Sequence, residues 1–586
     1  MERRVLLAIF LCFLVLYLWN ALVVKPVPKP ALATTPAAGA APEPGAPAKA
    51  PERSQLPAEV AAAKTTEAPT VGTPLIGETN ERDVRVETRD VIAMFTNRGA
   101  RLKSWRLKRY LDQQKQPQEL IVRLDSQPLP FELRVADERA TSLMNSALYT
   151  VNQSRDASAG AGPTRVRFEY RAAAPELHVV KEFELAPEGY IVTFDAKVTT
   201  APPEPVTDKP TAAVPLTILW GPAVGDLGEV SRYAQKPEGL LSQNGNVQRL
   251  GDFSKQSAFE GDFRYAGVDD NYFMAVALSM TAAKIHYQPV AISPPPNSKD
   301  PAHNLVAYSI ELPPNTTPVK FFVGPKDFDV LAAIDTDMTS AINFGYFKVI
   351  VVPLLQSLKW VHGYVGNYGW SIVILTVLIN AIMFPLRHKS AVSMRKMQQI
   401  QPEVKSIQDR YSKLKTTDPA RQKMNQELMA LYRDRGVNPA SGCVPMLLTM
   451  PVFLAMWALL QTSIELRGAP WFGWIHDLSS HDQFFILPVI MVVSQFWQQR
   501  MMPAAGADPA QQKMMMFMPL VMGFIFLWLP AGALIYYVIS NLWAIGQQYL
   551  TNRLLGPPNV RTIRPAAERR VKRVGGGKTE AAAREP

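Results

Sequence analysis

Trp370-Ser371-Ile372-Val373-Ile374-Leu375-Thr376-Val377-Leu378-Ile379-Asn380-Ala381-Ile382-Met383-Phe384-Pro385-Leu386 runs for seventeen residues without a charge and meets Arg387-His388-Lys389 at its end. A stretch this apolar and this long reads as a membrane-spanning helix. Thr376 and Asn380 are four residues apart, so a helix sets both on one face. Polar groups inside hydrocarbon are costly, and a span that keeps them hides them from lipid. The basic triplet marks which end stays in the cytoplasm.

Similar apolar runs cover 444–464, 484–497, 514–529 and 533–550, and a first one covers 5–24 behind Arg3 and Arg4. The expectation is an α-helical polytopic membrane protein with six transmembrane helices. The first run lacks a following A-x-A cleavage site and reads as a retained anchor, 1–25. Several runs fall short of the ~20 residues an upright span needs, which suggests a thin or water-invaded membrane region. Cys12 and Cys443 both lie in or beside apolar runs, so no disulfide framework is expected.

Charge gives the orientation. Residues 387–438 hold 12 Lys and Arg against 5 acids, and the chain after Thr551 holds 9 against 3, whereas 465–483 holds one Arg and three acids. Short basic loops stay inside. Both termini are therefore expected in the cytoplasm, and the region between the first two spans outside. The net charge of +11 would suggest nucleic-acid binding in a soluble protein, but orientation accounts for most of it here.

The outer region divides by composition. Residues 26–75 are rich in Ala, Pro and Thr and cannot bury enough surface to fold, so they read as a linker. Beyond them, segments such as Thr164-Arg165-Val166-Arg167-Phe168-Glu169-Tyr170 alternate with period two, the pattern of half-buried antiparallel strands. One large all-β sandwich is expected over 76–342. Phe347, Ile350, Leu354, Leu358 and Val361 then recur at helical spacing and predict an amphipathic interfacial helix over 343–363, interrupted or kinked at Pro353.

The second span is expected over 367–388. The basic block, 389–440, carries Met397, Ile400, Val404, Ile407, Tyr411 and Leu414 at alternating three- and four-residue steps, a coiled-coil seam. Asp418 and Pro419 read as the start of a second helix with Met424, Leu428 and Leu431 on its seam. A cytoplasmic helical hairpin follows, with a long connector as the plainer reading. Spans three to six occupy 441–550, and 551–586 is a basic cytoplasmic tail.

Polar residues also interrupt the later spans: Thr449 and Gln461, Ser494 and Gln495, then Tyr536, Tyr537, Ser540 and Asn541. One such residue usually bonds a neighbouring helix for ~0.6–2 kcal/mol. Polar groups on at least four spans point instead to a shared hydrated cavity. Catalytic signals are weak. His476 and His481 lack metal-site spacing, and Gly575-Gly576-Gly577-Lys578-Thr579 lacks the first glycine and the flanking strand of a phosphate loop. No catalytic residue, metal or cofactor is expected, and the chain does not read as an enzyme.

Asn367-Tyr368-Gly369-Trp370-Ser371, Met383-Phe384-Pro385-Leu386, Met429-Ala430-Leu431-Tyr432, Gly442-Cys443-Val444-Pro445, Trp474-Ile475-His476-Asp477-Leu478 and Tyr536-Tyr537-Val538-Ile539-Ser540-Asn541 occur in order over about two hundred residues. In this the chain resembles the YidC family of bacterial membrane protein insertases, in its Gram-negative form. The resemblance implies a periplasmic β-supersandwich, a five-helix core and a groove open to cytoplasm and lipid but closed outside. It implies an inner-membrane insertase and chaperone that works alone or with the Sec translocon, with nascent membrane proteins, ribosome and membrane lipids as partners and a single copy as the working unit. Carried over by residue, the groove would include Thr376, Asn380 and Tyr537, and a hydrophobic slide would include Phe453. The polar residues on the other spans add Thr449, Gln461, Tyr536 and Ser540 to the groove, and Ile525 of the fifth span joins the slide. Tyr411 of the hairpin and Arg569, Arg570, Lys572 and Arg573 of the tail are the expected cytoplasmic docking residues. The family usually has an arginine where this chain has Asn380, so an electrostatic pull cannot rest on that position. A small-solute channel or carrier is the alternative reading, and a membrane hydrolase with Ser371 or Ser540 as nucleophile a third.

Overall fold

The computed structural model describes residues 74–555 apart from 113, 125–126, 156–161, 174–175, 201–214, 223, 226–234, 293–302, 315–317, 412–419, 438–443 and 502–508. The expected anchor at 1–25, nearly all of the linker, and the tail residues Arg569, Arg570, Lys572 and Arg573 lie outside these, as do Leu414, Asp418 and Pro419.

Residues 83–325 form two antiparallel sheets. The smaller has four strands in spatial order Asp83–Glu87, Val91–Thr96, Arg101–Leu111 and Pro117–Glu119. The larger has twelve among the described residues. Its long path runs Asn246–Leu250, Glu238–Gln243, Ala258–Asp269, Phe273–Ile292, Val319–Pro325, Ile191–Thr200, Glu176–Leu185, Thr164–Ala173 and Thr150–Arg155. Leu216–Trp220 branches off by pairing with His303–Leu312 and Glu132–Arg134. Along Thr164–Ala173 burial alternates residue by residue, since one face meets the core and the other water.

Aromatic side chains fill the core, and Phe95 of the small sheet packs on Phe183 of the large one at 4.6 Å. Phe131 has no exposure and sits 4.9 to 5.2 Å, centroid to centroid, from Phe183, Phe194, Trp220 and Phe321. Trp105 of the small sheet donates its indole N–H to Val323 O of the large one at 2.8 Å, which satisfies the one polar atom of a buried indole. Lys181, also fully buried, donates its ammonium to Gly99 O and Phe131 O at 2.7 and 3.0 Å.

Helices α1 (Glu138–Ser146) and α2 (Phe328–Ile334) decorate this domain, each capped by an aspartate that accepts backbone N–H groups, Asp137 and Asp327 respectively. Then come α3 (Lys348–Val365), α4 (Tyr368–Gln399), α5 (Gln401–Tyr411), α6 (Ala420–Asp434), α7 (Val444–Thr462), α8 (Ile486–Met501), α9 (Pro509–Ile525) and α10 (Ala531–Leu555). Pro353 does not interrupt α3, which stays helical on both sides of it. A proline removes one backbone bond, and here Val351, Leu355, Leu358 and Val361 are buried along one face and hold the helix in place. Gly366, with φ of +67°, ends α3 and lets the chain turn into α4.

Helix α4 also outruns the expected span. It passes Pro385 and continues to Gln399, because residues 387–399 contain no glycine or further proline to stop it. Among the described residues one helical stretch, Tyr368–Met397, is long and apolar enough to cross a membrane, an 18-residue window within it having a mean hydropathy of 2.0. Thr449–Thr462 and Met516–Trp528 are shorter apolar helices. Helices α5 and α6 pack on each other around Ile400, Val404 and Val437, with Met397, Leu428, Leu431 and Tyr432 against them.

Candidate functional site

The spacing of polar residues on α4 fixes the site. Thr376 and Asn380 fall on one face and are buried, as is Ser371 a turn or more nearer the start of the helix, whereas Ile374, Val377, Leu378 and Ile382 are exposed. In water this distribution would be unstable. It suits a helix with lipid on its outside and polar partners within. Helix α10 packs closely on α4 and α8, while α7 meets α4 and α10 more sparsely.

Each buried polar group on α4 first satisfies itself locally. Ser371 Oγ donates to Asn367 O at 2.8 Å and Thr376 Oγ1 to Ile372 O at 2.6 Å. The Asn380 amide donates to Thr376 O at 2.8 Å and approaches Ser540 Oγ of α10 at 3.5 Å. Its carbonyl oxygen accepts from Arg387 Nη1 at 2.6 Å. Seven residues are two helical turns, so Arg387 lies on the face of Asn380 and its side chain reaches back along the helix. A guanidinium therefore stands beside Asn380, supplied from two turns further along α4. The sequence reading placed Arg387 near the cytoplasm and gave it no part at Asn380. The i,i+7 spacing was the available signal.

On α10, Asn541 donates to Ser494 Oγ of α8 at 3.1 Å, joining those helices with a buried polar pair. Tyr536 and Tyr537 meet Phe453 of α7 at ring separations of 6.2 and 5.9 Å. Tyr537 and Trp457 also pack on Phe526, at 5.6 and 5.8 Å. Thus Thr376, Asn380 and Ser540 meet at the α4–α10 seam with Tyr536 beside them, while Tyr537 turns away from α4 toward Phe453, Phe526 and Gln495 of α8. Thr449 lies one turn before Phe453 on α7 and is partly exposed. Ile525 ends α9 and is exposed, beside Phe524 and Val521 on the outer surface of the bundle.

Two expected residues fall elsewhere. Gln461 is at the opposite end of α7 from Thr449, where its backbone oxygen accepts from Asn271 of the β-domain at 3.0 Å. It is separated from the Asn380 cluster because α7 carries it three turns beyond Thr449. Tyr411 donates its hydroxyl to Glu427 Oε1 at 2.7 Å, and Arg410 pairs with the other oxygen of Glu427 at 3.0 Å. Tyr411 therefore ties α5 to α6 and remains partly exposed.

The outer end of the bundle is covered. Trp471 crosses Trp370 edge to face at 5.6 Å, and Asn367 donates to Pro470 O at 3.0 Å. Gly369 permits this, since a Cβ there would lie 2.1 Å from the Trp471 ring. Ala531 N and Gly532 N donate to Ser480 O and Leu478 O at 2.7 and 2.9 Å, which ties the same loop over the start of α10. The β-domain is clamped on from above: Lys359 of α3 meets Asp329, Glu465 and Asp327 at 2.8, 2.7 and 3.7 Å. These carboxylates hold the Lys359 ammonium above its ordinary pKa despite partial burial. Arg467 adds contacts to Leu111 O and Gln118 at 3.0 and 2.6 Å.

Comparison with known proteins agrees with this architecture. Residues 360–557 match the family model described as 60Kd inner membrane protein, and residues 83–357 match the model described as YidC periplasmic domain. The membrane protein insertase YidC of Syntrophus aciditrophicus is 31% identical over 94% of this chain and all of its own length. That of Cupriavidus taiwanensis is 46% identical over 41% of this chain and 42% of its own. A solved structure of an active YidC insertase with its first transmembrane domain resolved aligns over 81% of this chain and 94% of its own, at 18% identity and a TM-score of 0.34. The chain belongs to the YidC family of membrane protein insertases, as an inner-membrane protein with a β-rich periplasmic domain.

Proposed function

We propose that the α4–α10 seam is a hydrated groove, open to cytoplasm and lipid, that receives the polar end of a nascent membrane protein while its apolar helix passes into the bilayer. The observation that carries this is the hydrogen-bonded chain of buried Thr376 and Asn380 with half-buried Arg387, facing Ser540, inside a bundle whose exterior is apolar. A charge entering hydrocarbon costs about 2.5–3.5 kcal/mol on insertion scales, and a polar cavity lowers that cost. Burial of the substrate helix in lipid, at roughly 25 cal/mol per Å² of apolar surface, then drives the process without nucleotide. In this reading Arg387 supplies the positive charge that Asn380 lacks, and Asn380 holds it.

The topology completes the proposal. Helices α4, α7, α8, α9 and α10 are five spans and residues 1–25 a sixth, with both termini cytoplasmic and α5–α6 projecting into the cytoplasm. Helices α8 and α9 have 16 and 17 residues, about 24–26 Å at 1.5 Å per residue, which favours a thinned bilayer around them. Phe453 of α7 and Ile525 of α9 form the slide along which the substrate helix leaves. Substrates are delivered alone or from the Sec translocon. The basic tail with Arg569, Arg570, Lys572 and Arg573 docks ribosomal RNA through phosphate contacts that weaken in salt, and one copy suffices.

Full-length protein in liposomes, offered a single-spanning substrate with a short acidic tail and scored by protease protection, tests the groove. Asn380→Leu should reduce insertion. Unchanged insertion of every substrate by this variant would refute the need for polarity at that site. Solute flux through the liposomes without insertion would support the channel reading instead, against which the Trp370–Trp471 cover argues.

A further inference from the structure

Far from the groove, where the β-domain meets the outer end of α7, lies a cleft of about 460 Å³. Gln235, Lys236, Glu238 and Arg249 line it from the β-domain, with Asn271 and, from α7, Gln461. Its floor is ionic. Asp269, with no exposure, accepts from Lys326 Nζ at 2.8 Å and from Gln235 Nε2 at 3.1 Å. That buried pair is internally neutral, and Arg249 faces Glu238 at 4.0 Å and Asp269 at 3.6 Å, so the net positive charge presented to the cleft is that of Lys236. Gln235 Nε2 also donates to Glu238 Oε1 at 2.8 Å, which occupies that carboxylate.

The donors of the cleft are not used up. Arg249 Nη2 donates to Ala341 O at 2.6 Å, but Nη1 is buried without a hydrogen-bond partner, 3.6 Å from Asp269. Gln461 Nε2 is likewise buried and without a partner. A buried donor left unmade is costly, so Arg249 Nη1 and Gln461 Nε2 in one cleft with the Lys236 ammonium describe a site for an oxygen-rich anion; Asp269 Oδ1 is unpartnered too, its charge offset by Lys326 and Arg249. A second cleft of about 340 Å³ adjoins through Arg249 and adds Lys348, Val247 and Ile342.

Position decides the source of the anion. Thr462 is the last residue of α7 and α3 begins at Lys348, so the cleft opens at the outer membrane surface. Tyr346 and Val349, beside Lys348, are 82% and 85% exposed, an arrangement suited to contact with acyl chains. We propose that this cleft binds the phosphodiester headgroup of an anionic phospholipid of the outer leaflet, with Arg249 and Lys236 on the phosphate and Gln461 donating to it. A bound lipid would pin the β-domain to the membrane at the joint between sheet and α7. A free phosphate offers the same oxygens, and the test separates the two.

Full-length protein in a non-ionic detergent would be examined by native mass spectrometry for phosphatidylglycerol adducts, with inorganic phosphate as competitor. The wild type should hold one phosphatidylglycerol about tenfold more tightly than Lys236→Gln, whose side chain is exposed and whose loss leaves the fold intact, or than Arg249→Gln. Gln461→Leu should weaken it less. Equal retention by wild type and Lys236→Gln with Arg249→Gln combined would overturn the proposal. Complete displacement by millimolar inorganic phosphate would overturn the lipid assignment, and no displacement supports it.

Discussion

The β-domain and the helical bundle bury opposite kinds of residue. In the β-domain Phe131, Phe183, Phe194 and Trp220 lie at the centre, and the few charges buried there, such as Lys181 and Asp269, are held by polar partners. In the bundle Thr376 and Asn380 are buried while Ile382, Phe524 and Val493 are 60–77% exposed. Water drives the first arrangement through the hydrophobic effect. Lipid removes that drive from the second, where close packing and hydrogen bonds between helices remain. The exposed apolar shell is thus the mark of a second solvent rather than of poor packing.

The largest effect should come from treating both regions alike. Phe131→Ala empties the meeting point of four aromatic rings and should cost about 3–5 kcal/mol. Ile382→Ala, on a residue 77% exposed to lipid, should change stability by less than about 0.5 kcal/mol. Denaturant unfolding of full-length protein in detergent measures both. Equal losses would break the two-solvent account.

A second contrast concerns charge. Arg387→Leu removes the donor to Asn380, and a hydrogen bond to a charged group contributes about 1.5–3 kcal/mol, so insertion of acidic-tailed substrates should fall roughly ten- to hundredfold. Arg387→Lys keeps the charge and should retain part of the activity. Substrates with neutral tails should be affected least. Protease protection of the two substrate classes in liposomes gives the ratio, and a uniform loss across both would assign Arg387 to structure alone.

What the sequence made legible follows the same division. Alternation exposed strands such as Thr164–Ala173 because water lies on one face of them. It was silent on Phe273–Ile292, whose first half is apolar on both faces and which pairs with three neighbours. Thr376 and Asn380 could be paired by their four-residue spacing. Polarity within a span says nothing of depth, so the sequence did not show that Gln461 sits against Asn271 at the outer end, apart from Thr376 and Asn380. Tyr411 stood out on a basic seam, yet its partner Glu427 lies across the turn of the hairpin, a contact that local patterning does not encode.

The joint between the regions should give a smaller effect. Lys359 gathers carboxylates from the β-domain side and from the loop after α7, so Lys359→Met leaves Glu465 buried and unpaired. Breaking such a partly buried cluster should cost about 1–2 kcal/mol and speed proteolysis between the β-domain and α4. Unaltered cleavage there would mean that Arg467 and Asn271 hold the joint without it.

The smallest effect is in the β-domain's own polar interior, where the contrast with the bundle is sharpest. Burial lowers the Lys181 ammonium from the ordinary lysine value to about 7, with nearby Arg101 acting in the same direction. The folded protein therefore releases this proton at lower pH than the unfolded chain does. Between about pH 7 and the ordinary lysine range the unfolded state binds more protons, so stability rises with pH there. From pH 7 to pH 8 the gain should be about 1 kcal/mol. Lys181→Met retains the aliphatic stem and removes the titration, so the pH slope of wild type minus variant isolates this one group. A slope of zero would mean that the carbonyls of Gly99 and Phe131 hold the ammonium charged throughout, and that a buried cation in the water-solvated domain is as well satisfied as Arg387 is in the bundle.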